Sequence, residues 1–145
     1  MKTPALRTRH SVGLALLALL TAVALGSARG DAKKEEAAVV PLFNGALTDL
    51  PGQDLTAVMV TYPPGGKSEP HKHPGSVFAY VLSGAVRSQS SLTGPVRVYK
   101  AGESFFEPAG GEHLVSENAS ATEPARFLAV FVAPSGAKLT EYTAH

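Results

Sequence analysis

The 145-residue chain contains no cysteine, which excludes disulfides, thiolate metal ligands, cysteine nucleophiles and a lipid anchor attached through cysteine. It has little charge, with 13 basic against 12 acidic side chains and 17% charged residues in all. Beyond the first ten positions the basic residues are scattered, so no footprint for a polyanion forms and no nucleic-acid partner is expected. A sustained 3.6-residue apolar period is also missing. The 14 Gly and 11 Pro interrupt any helix, because both residues disfavour helix interiors, and a helical bundle or coiled coil is excluded. What is present is enough apolar side chain, 44%, to bury one core, and a length that suits one domain and leaves no room for a second catalytic one.

At the N-terminus Lys2, Arg7 and Arg9 precede an apolar run from Val12 to Leu25, followed by the small residues Gly26, Ser27 and Ala28. This is the layout of a secretory signal. The run is shorter than the roughly 20 residues that a permanent membrane helix needs. Residues 1–28 are therefore expected to be a signal peptide cleaved near Ala28, with Gly26 or Gly30 as alternatives, leaving no stable membrane anchor. The protein is expected to be exported, to the periplasm or the extracellular space. Arg7 and Arg9 are separated by Thr8 and form no twin-arginine pair, so export of an unfolded chain and later metal uptake are expected. Residues 29–38 are small and charged and read as a flexible linker; residues 39–145 then form a single domain.

From residue 39 onward, apolar runs of four to eight residues alternate with Gly, Pro, Asn and Ser, which predicts an all-β domain. Strands are predicted over 55–62, 77–82, 85–90, 96–100, 104–107, 113–117 and 126–132. The runs 77–82 and 126–132 are apolar at odd and even positions alike, which predicts central strands covered on both faces. About eight strands at this spacing suit a jelly-roll barrel. Asn118-Ala119-Ser120 matches a glycosylation sequon, a triplet common by chance.

Of five histidines, His10 falls in the leader and His145 is the last residue, so His71, His73 and His113 remain for an ordered site. His71 and His73 are two apart, which in extended chain points both imidazoles to one face. His113 joins them only if its strand crosses the same interior.

Around these histidines the chain resembles the cupin superfamily of small β-barrels, which carries the motifs G-x5-H-x-H-x(3,4)-E-x6-G and G-x5-P-x-G-x2-H-x3-N. The first is matched by Gly65, His71, His73 and Gly84, the second by Gly102, Pro108, Gly110 and His113. The stretch also looks like small exported bacterial cupins. Two positions depart from the pattern: Val77 occupies the glutamate position, and Asn118 comes one residue late, with Glu117 in its place. The resemblance implies a jelly-roll or double-stranded β-helix barrel and a divalent metal held by His71, His73 and His113. It also implies a barrel of the kind that dimerises through its sheets, so a homodimer is an open expectation.

Imidazole suits Fe, Ni, Cu and Zn, and Mn remains a candidate with them. Three protein ligands with vacant positions describe a reactive rather than a structural site. Neutral ligands leave the full charge on the metal, which favours a small oxygenated anion as substrate. With iron the set resembles the three-histidine dioxygenases of the superfamily; with zinc, an activated water points to hydrolytic or lyase-type chemistry. Glu107, beside the turn that carries His113, is the candidate fourth ligand or general base, and Gln89 a second candidate ligand. Glu69 and Glu112 flank the histidines on turns and are expected to be solvated. Phe78, Tyr80, Phe105 and Phe106 are candidates to line a pocket. The alternative is a non-catalytic module that binds a sugar, an organic acid or the metal itself.

Overall fold

The structure, a computed structural model, describes residues 37–143. The expected signal peptide, most of the linker, His10 and His145 lie outside the described residues. Among the described residues there are strands and turns only. One antiparallel sheet runs in the order β1 (Ala38–Ala46), β2 (Gln53–Tyr62), β10 (Ala125–Pro134), β5 (Ser76–Ser83) and β8 (Ser104–Glu107). The other runs β11 (Glu141–Tyr142), β4 (His71–Lys72), β9 (Glu112–Asn118), β6 (Ala85–Ser90) and β7 (Arg97–Lys100), with β3 (Lys67–Ser68) also paired to β9. The protein is an all-β jelly roll whose core lies between the two sheets.

Alternation along each strand builds that core, because successive side chains point to opposite faces. Val58, Val60 and Tyr62 of β2 are buried, as are Val77, Ala79 and Val81 of β5 and Phe127, Ala129 and Phe131 of β10. From the facing sheet Val86 joins them, fully buried. Burying a side chain of this size contributes about 1.5–3 kcal/mol.

Strands β5 and β10 are central, as their sequences predict, but β5 is not covered on both faces. Phe78, Tyr80 and Leu82 point outward and are exposed, and their cross-strand neighbour Phe106 is exposed as well. An antiparallel sheet can leave one face open, so apolar residues at every position reflect here an apolar outer face rather than a second covering layer. Strand β1 is absent from the prediction. Pro41 interrupts its pattern, and proline is tolerated there because β1 is an edge strand with a bulge between Pro41 and Phe43. The two-residue strands β3, β4 and β11 are too short to leave a periodic signal.

Two places fix the frame around the histidines. A Cβ at Gly75 would overlap the Val132 carbonyl oxygen, so only glycine lets the turn after His73 lie against β10. At the other end of the barrel the buried Asn118 amide is a clasp. Its Nδ2 donates to the carbonyls of Pro63 and Glu123, at 2.9 and 2.7 Å, and its Oδ1 accepts from the Ser120 amide at 2.9 Å. An amide so engaged is not displayed as a glycan acceptor.

Candidate metal centre

Strand β4 lies directly against the start of β9, with His71 opposite His113 in the register. The three imidazoles gather there, with ring centroids 4.8 Å apart for His71 and His73, 5.1 Å for His71 and His113 and 6.4 Å for His73 and His113. One potential ligand atom from each lies within 4.8 Å of the others. His71 and His113 are buried, at 5% and 3% exposure.

Two of the three rings have their tautomer fixed by the backbone. Nδ1 of His71 lies 2.6 Å from the Glu69 carbonyl oxygen, and Nδ1 of His73 lies 2.6 Å from that of Leu139. A carbonyl only accepts, so each Nδ1 must carry the proton and Nε2 the lone pair. Such an outer hydrogen bond is how proteins aim a metal-binding histidine. On the third ring, Nε2 of His113 meets the hydroxyl of buried Ser88 at 2.9 Å.

Glu107, the last residue of β8, is 6% exposed and adjoins two of the three rings. Its Oε2 is 3.0 Å from Nδ1 of His113 and 3.7 Å from Nε2 of His73. Burial pushes its carboxyl up to about 8 and pushes His73 down to about 4 and His113 down to about 3, while His71 is lowered in the same way. Without a cation, the contacts between Glu107 and the histidines at neutral pH are therefore between neutral groups rather than an ion pair. Neutral imidazoles, those of His71 and His73 with Nε2 lone pairs free of the backbone, beside an acidic oxygen whose charge a cation would favour, fit a divalent metal.

A family model described as "Cupin domain" matches residues 58–131, just over half the chain. The chain belongs to the cupin family. Solved structures share its fold. A conserved Klebsiella pneumoniae protein with a double-stranded β-helix domain has a TM-score of 0.57 at 23% identity, over 76% of this chain and 86% of that one. A Thermus thermophilus protein gives 0.53 at 28% identity, over 68% and 84%. A DMSP lyase from Ruegeria pomeroyi gives 0.53 at 22% identity, over 61% of this chain and 43% of the lyase. No curated protein matches the chain.

Both departures from the cupin motifs have a structural counterpart. Val77, at the motif's glutamate position, is the residue directly opposite Glu107 in the pairing of β5 with β8, and both side chains are buried. The carboxylate missing from β5 thus reappears one strand over. The lateness of Asn118 is taken up by a bulge: Ser90 pairs with His113 while Gln89 pairs with Val115, so β9 carries one extra residue, Leu114. Both His113 and Asn118 then point inward, and Glu117 turns outward to an ion pair with Arg87.

Other candidates are placed elsewhere. Gln89 lies on the opposite face of β6 from Ser88 and Ser90, and its Nε2 donates to the Gly94 carbonyl. It is not brought to the histidines. Glu69 pairs with Lys67 and Glu112 accepts from the Thr143 hydroxyl. Of the four aromatic candidates only Phe105 faces inward, 6.1 Å from the His113 ring; Phe78, Tyr80 and Phe106 are exposed on the outer face. Sequence reasoning missed Phe131, whose ring stands edge-on to His73 at 5.1 Å, and Ser88. A signal for Ser88 existed: it shares its parity with Val86, the apolar residue of that strand, and so shares its inward face.

Proposed function

We propose that this exported cupin holds a divalent metal on His71, His73 and His113, with Glu107 beside it as fourth ligand or general base, and binds a small oxygenated anion there. The observation that carries this reading is the pair of carbonyl-locked tautomers, which turn Nε2 of His71 and His73 into a buried cluster with His113. Bound metal, one of Fe, Mn, Ni, Cu or Zn, would supply a Lewis acid, with dioxygenase-like or lyase-like chemistry as the enzymatic form. The chain's own parts are clear in role. The backbone carbonyls hold the rings, the surrounding apolar residues limit water, and Glu107 Oε2, once a bound cation favours its ionised form, is the carboxylate oxygen placed to take a proton from a bound acid. Export rests on Lys2, Arg7 and Arg9 ahead of the apolar run.

A non-catalytic binding module is the second reading, favoured by how completely His71 and His113 are covered. Metal content of the untagged protein, measured beside His71→Ala and His113→Ala, tests the centre. Near-stoichiometric metal that vanishes in both variants is expected; no metal after reconstitution at neutral pH overturns it. Consumption of a bound anion then separates enzyme from module. For partners, a homodimer through the outer face of the five-stranded sheet is supported by exposed Phe78, Tyr80, Leu82 and Phe106. A face carrying no charge at these positions can meet its own copy without opposing like charges, and light scattering reads the mass.

A further inference from the structure

The segment after β10, residues 135–143, lies against the histidine cluster and is held by little. None of its residues is buried. Its strand β11 gives two residues of pairing to β4, itself two residues long, and Leu139 is its partly buried apolar contact with the core. At the root, the Ser135 amide donates to the Gly52 carbonyl at 2.9 Å and the Ser135 hydroxyl to Asp54 Oδ1 at 2.7 Å. The next residue, Gly136, has a φ of 75°, which glycine adopts without strain. At the tip, the Thr143 amide donates to the Pro70 carbonyl at 3.1 Å, and the Thr143 hydroxyl donates to Glu112 Oε1 at 2.7 Å. We infer that this segment is a strap: it swings open about Gly136 when Thr143 releases Glu112 and Pro70, and its opening is how a cation or a small anion reaches His71 and His73. The role as an entrance rests on the metal reading above, while the motion belongs to the metal-free protein.

Two contacts make the strap a cover. The Leu139 carbonyl accepts from Nδ1 of His73 at 2.6 Å. Tyr142, opposite His71 in the register, sets its ring edge-on to the His71 ring at 5.9 Å. The contacts of His113 are made elsewhere, with Ser88, Glu107 and Phe105, so opening frees two rings and leaves the third in place. With His71 at 5% and His113 at 3% exposure, a site that exchanges its contents needs a part that moves. Such parts are drawn from elements with few buried apolar contacts and solvated hydrogen bonds. The strap answers that description; β9 and β10, on other sides of the cluster, run seven and ten residues within their sheets. Thr143 is a positioning residue here, because it acts on His73 through the Leu139 carbonyl. Of the two acceptors its hydroxyl can reach, the Glu112 carboxylate is nearer than the Pro70 carbonyl, at 2.7 against 3.1 Å, and a charged acceptor makes the stronger bond. That bond is the latch.

The test follows acylation of each histidine by diethyl pyrocarbonate, resolved by peptide mass spectrometry, in the full mature protein without metal at neutral pH. Wild type, Thr143→Val, Thr143→Ser and Tyr62→Phe are compared. Where opening is fast relative to the reaction, the rate follows the open population. Loss of a hydrogen bond to a charged acceptor is expected to raise the His73 rate about tenfold in Thr143→Val, with His71 following and His113 changed by less than about twofold. Thr143→Ser keeps the hydroxyl and is expected to return His73 to the wild-type rate. Tyr62→Phe, which loosens bonds to Ser68 and Ser116 rather than to the strap, is expected to leave the ratio of His73 to His113 rates unchanged. An unchanged His73 rate in Thr143→Val overturns the inference, and so does equal acceleration of His113, which means that the barrel opens as a whole. Co2+ uptake, read from its visible spectrum, is expected to quicken about tenfold in Thr143→Val while the dissociation constant holds, since the closed protein loses the same bond with and without the cation. Uptake at the wild-type speed also overturns the inference. Failure of wild type to bind Co2+ at all defeats the metal reading instead; acylation still decides the strap, and the two failures are thereby told apart.

Discussion

Among the described residues, a buried polar cluster sits towards each end of the barrel interior, around Asn118 and around the histidines, and these two are built on opposite principles. At one end Asn118 is bonded by backbone on every side. At the other, His71, His73, His113, Glu107 and Ser88 face one another, and the backbone holds the rings only from behind. A polar side chain satisfied wholly by backbone has no capacity left and stitches chain segments together. Side chains that satisfy one another can exchange that partner for a ligand, because the scaffold does not depend on their mutual contacts. The difference separates a polar cluster that stitches the chain from one with the capacity to bind, within a single core.

Substitutions at the two ends should break in different ways. His113→Ala is expected to lower metal affinity by at least about a hundredfold, as loss of a direct ligand exceeds the 10–100-fold typical of an outer partner. Equilibrium dialysis against Zn2+ reads the loss, and urea unfolding of the metal-free protein should fall as well, because the buried Ser88 hydroxyl loses its partner. Asn118→Ala should spare the metal. It orphans two carbonyls and an amide, for a loss of about 3 kcal/mol in urea unfolding, with metal stoichiometry of the folded protein intact. Should Asn118→Ala lose metal as readily as His113→Ala, the two ends are not independent.

A third expectation concerns pH. Between about 4.5 and 8 the folded, metal-free protein holds a proton on Glu107 that the unfolded chain lacks, so this group's contribution falls as pH rises. His73 and His113, lowered to about 4 and 3 from 6.5, act oppositely: the unfolded chain binds more protons below pH 6.5, and stability rises towards that value. Thermal stability of the metal-free protein should therefore peak near pH 6.5 and decline towards pH 8. Glu107→Gln should flatten the decline, and a decline that persists in that variant assigns it elsewhere. The smallest expected effect is at Tyr62, whose hydroxyl bonds Ser68 and Ser116 at 2.8 and 2.7 Å. Tyr62→Phe should cost about 1 kcal/mol in urea and leave metal affinity unmoved.

How much of this was legible in the sequence depended on the range of the interactions. The long strands and their turns follow from alternation and from Gly and Pro, both local signals. The spacing of His71, His73 and His113 within the two motifs marked the histidines. Parity within β6 did not come from spacing alone, so Gln89 was a candidate where Ser88 is the residue that faces the cluster. The outward aromatics Phe78, Tyr80 and Phe106 misled for a related reason: an apolar residue in a strand does not say which face it takes. The pairing of Val77 with Glu107 needed register, which is a long-range property. Nothing near His73 announces Leu139.

That last contact orders events in time. His71 finds its backbone acceptor two residues away, at Glu69, and can do so in a chain that is barely folded. His73 waits for a carbonyl 66 residues downstream, brought in by the segment whose strand β11 docks on β4. A polypeptide that has not yet closed thus carries one prepared imidazole and one unprepared neighbour. If the proposed cation binds there, its capture would report that the polypeptide has closed on itself, and competition among metals would be decided at that moment of closure.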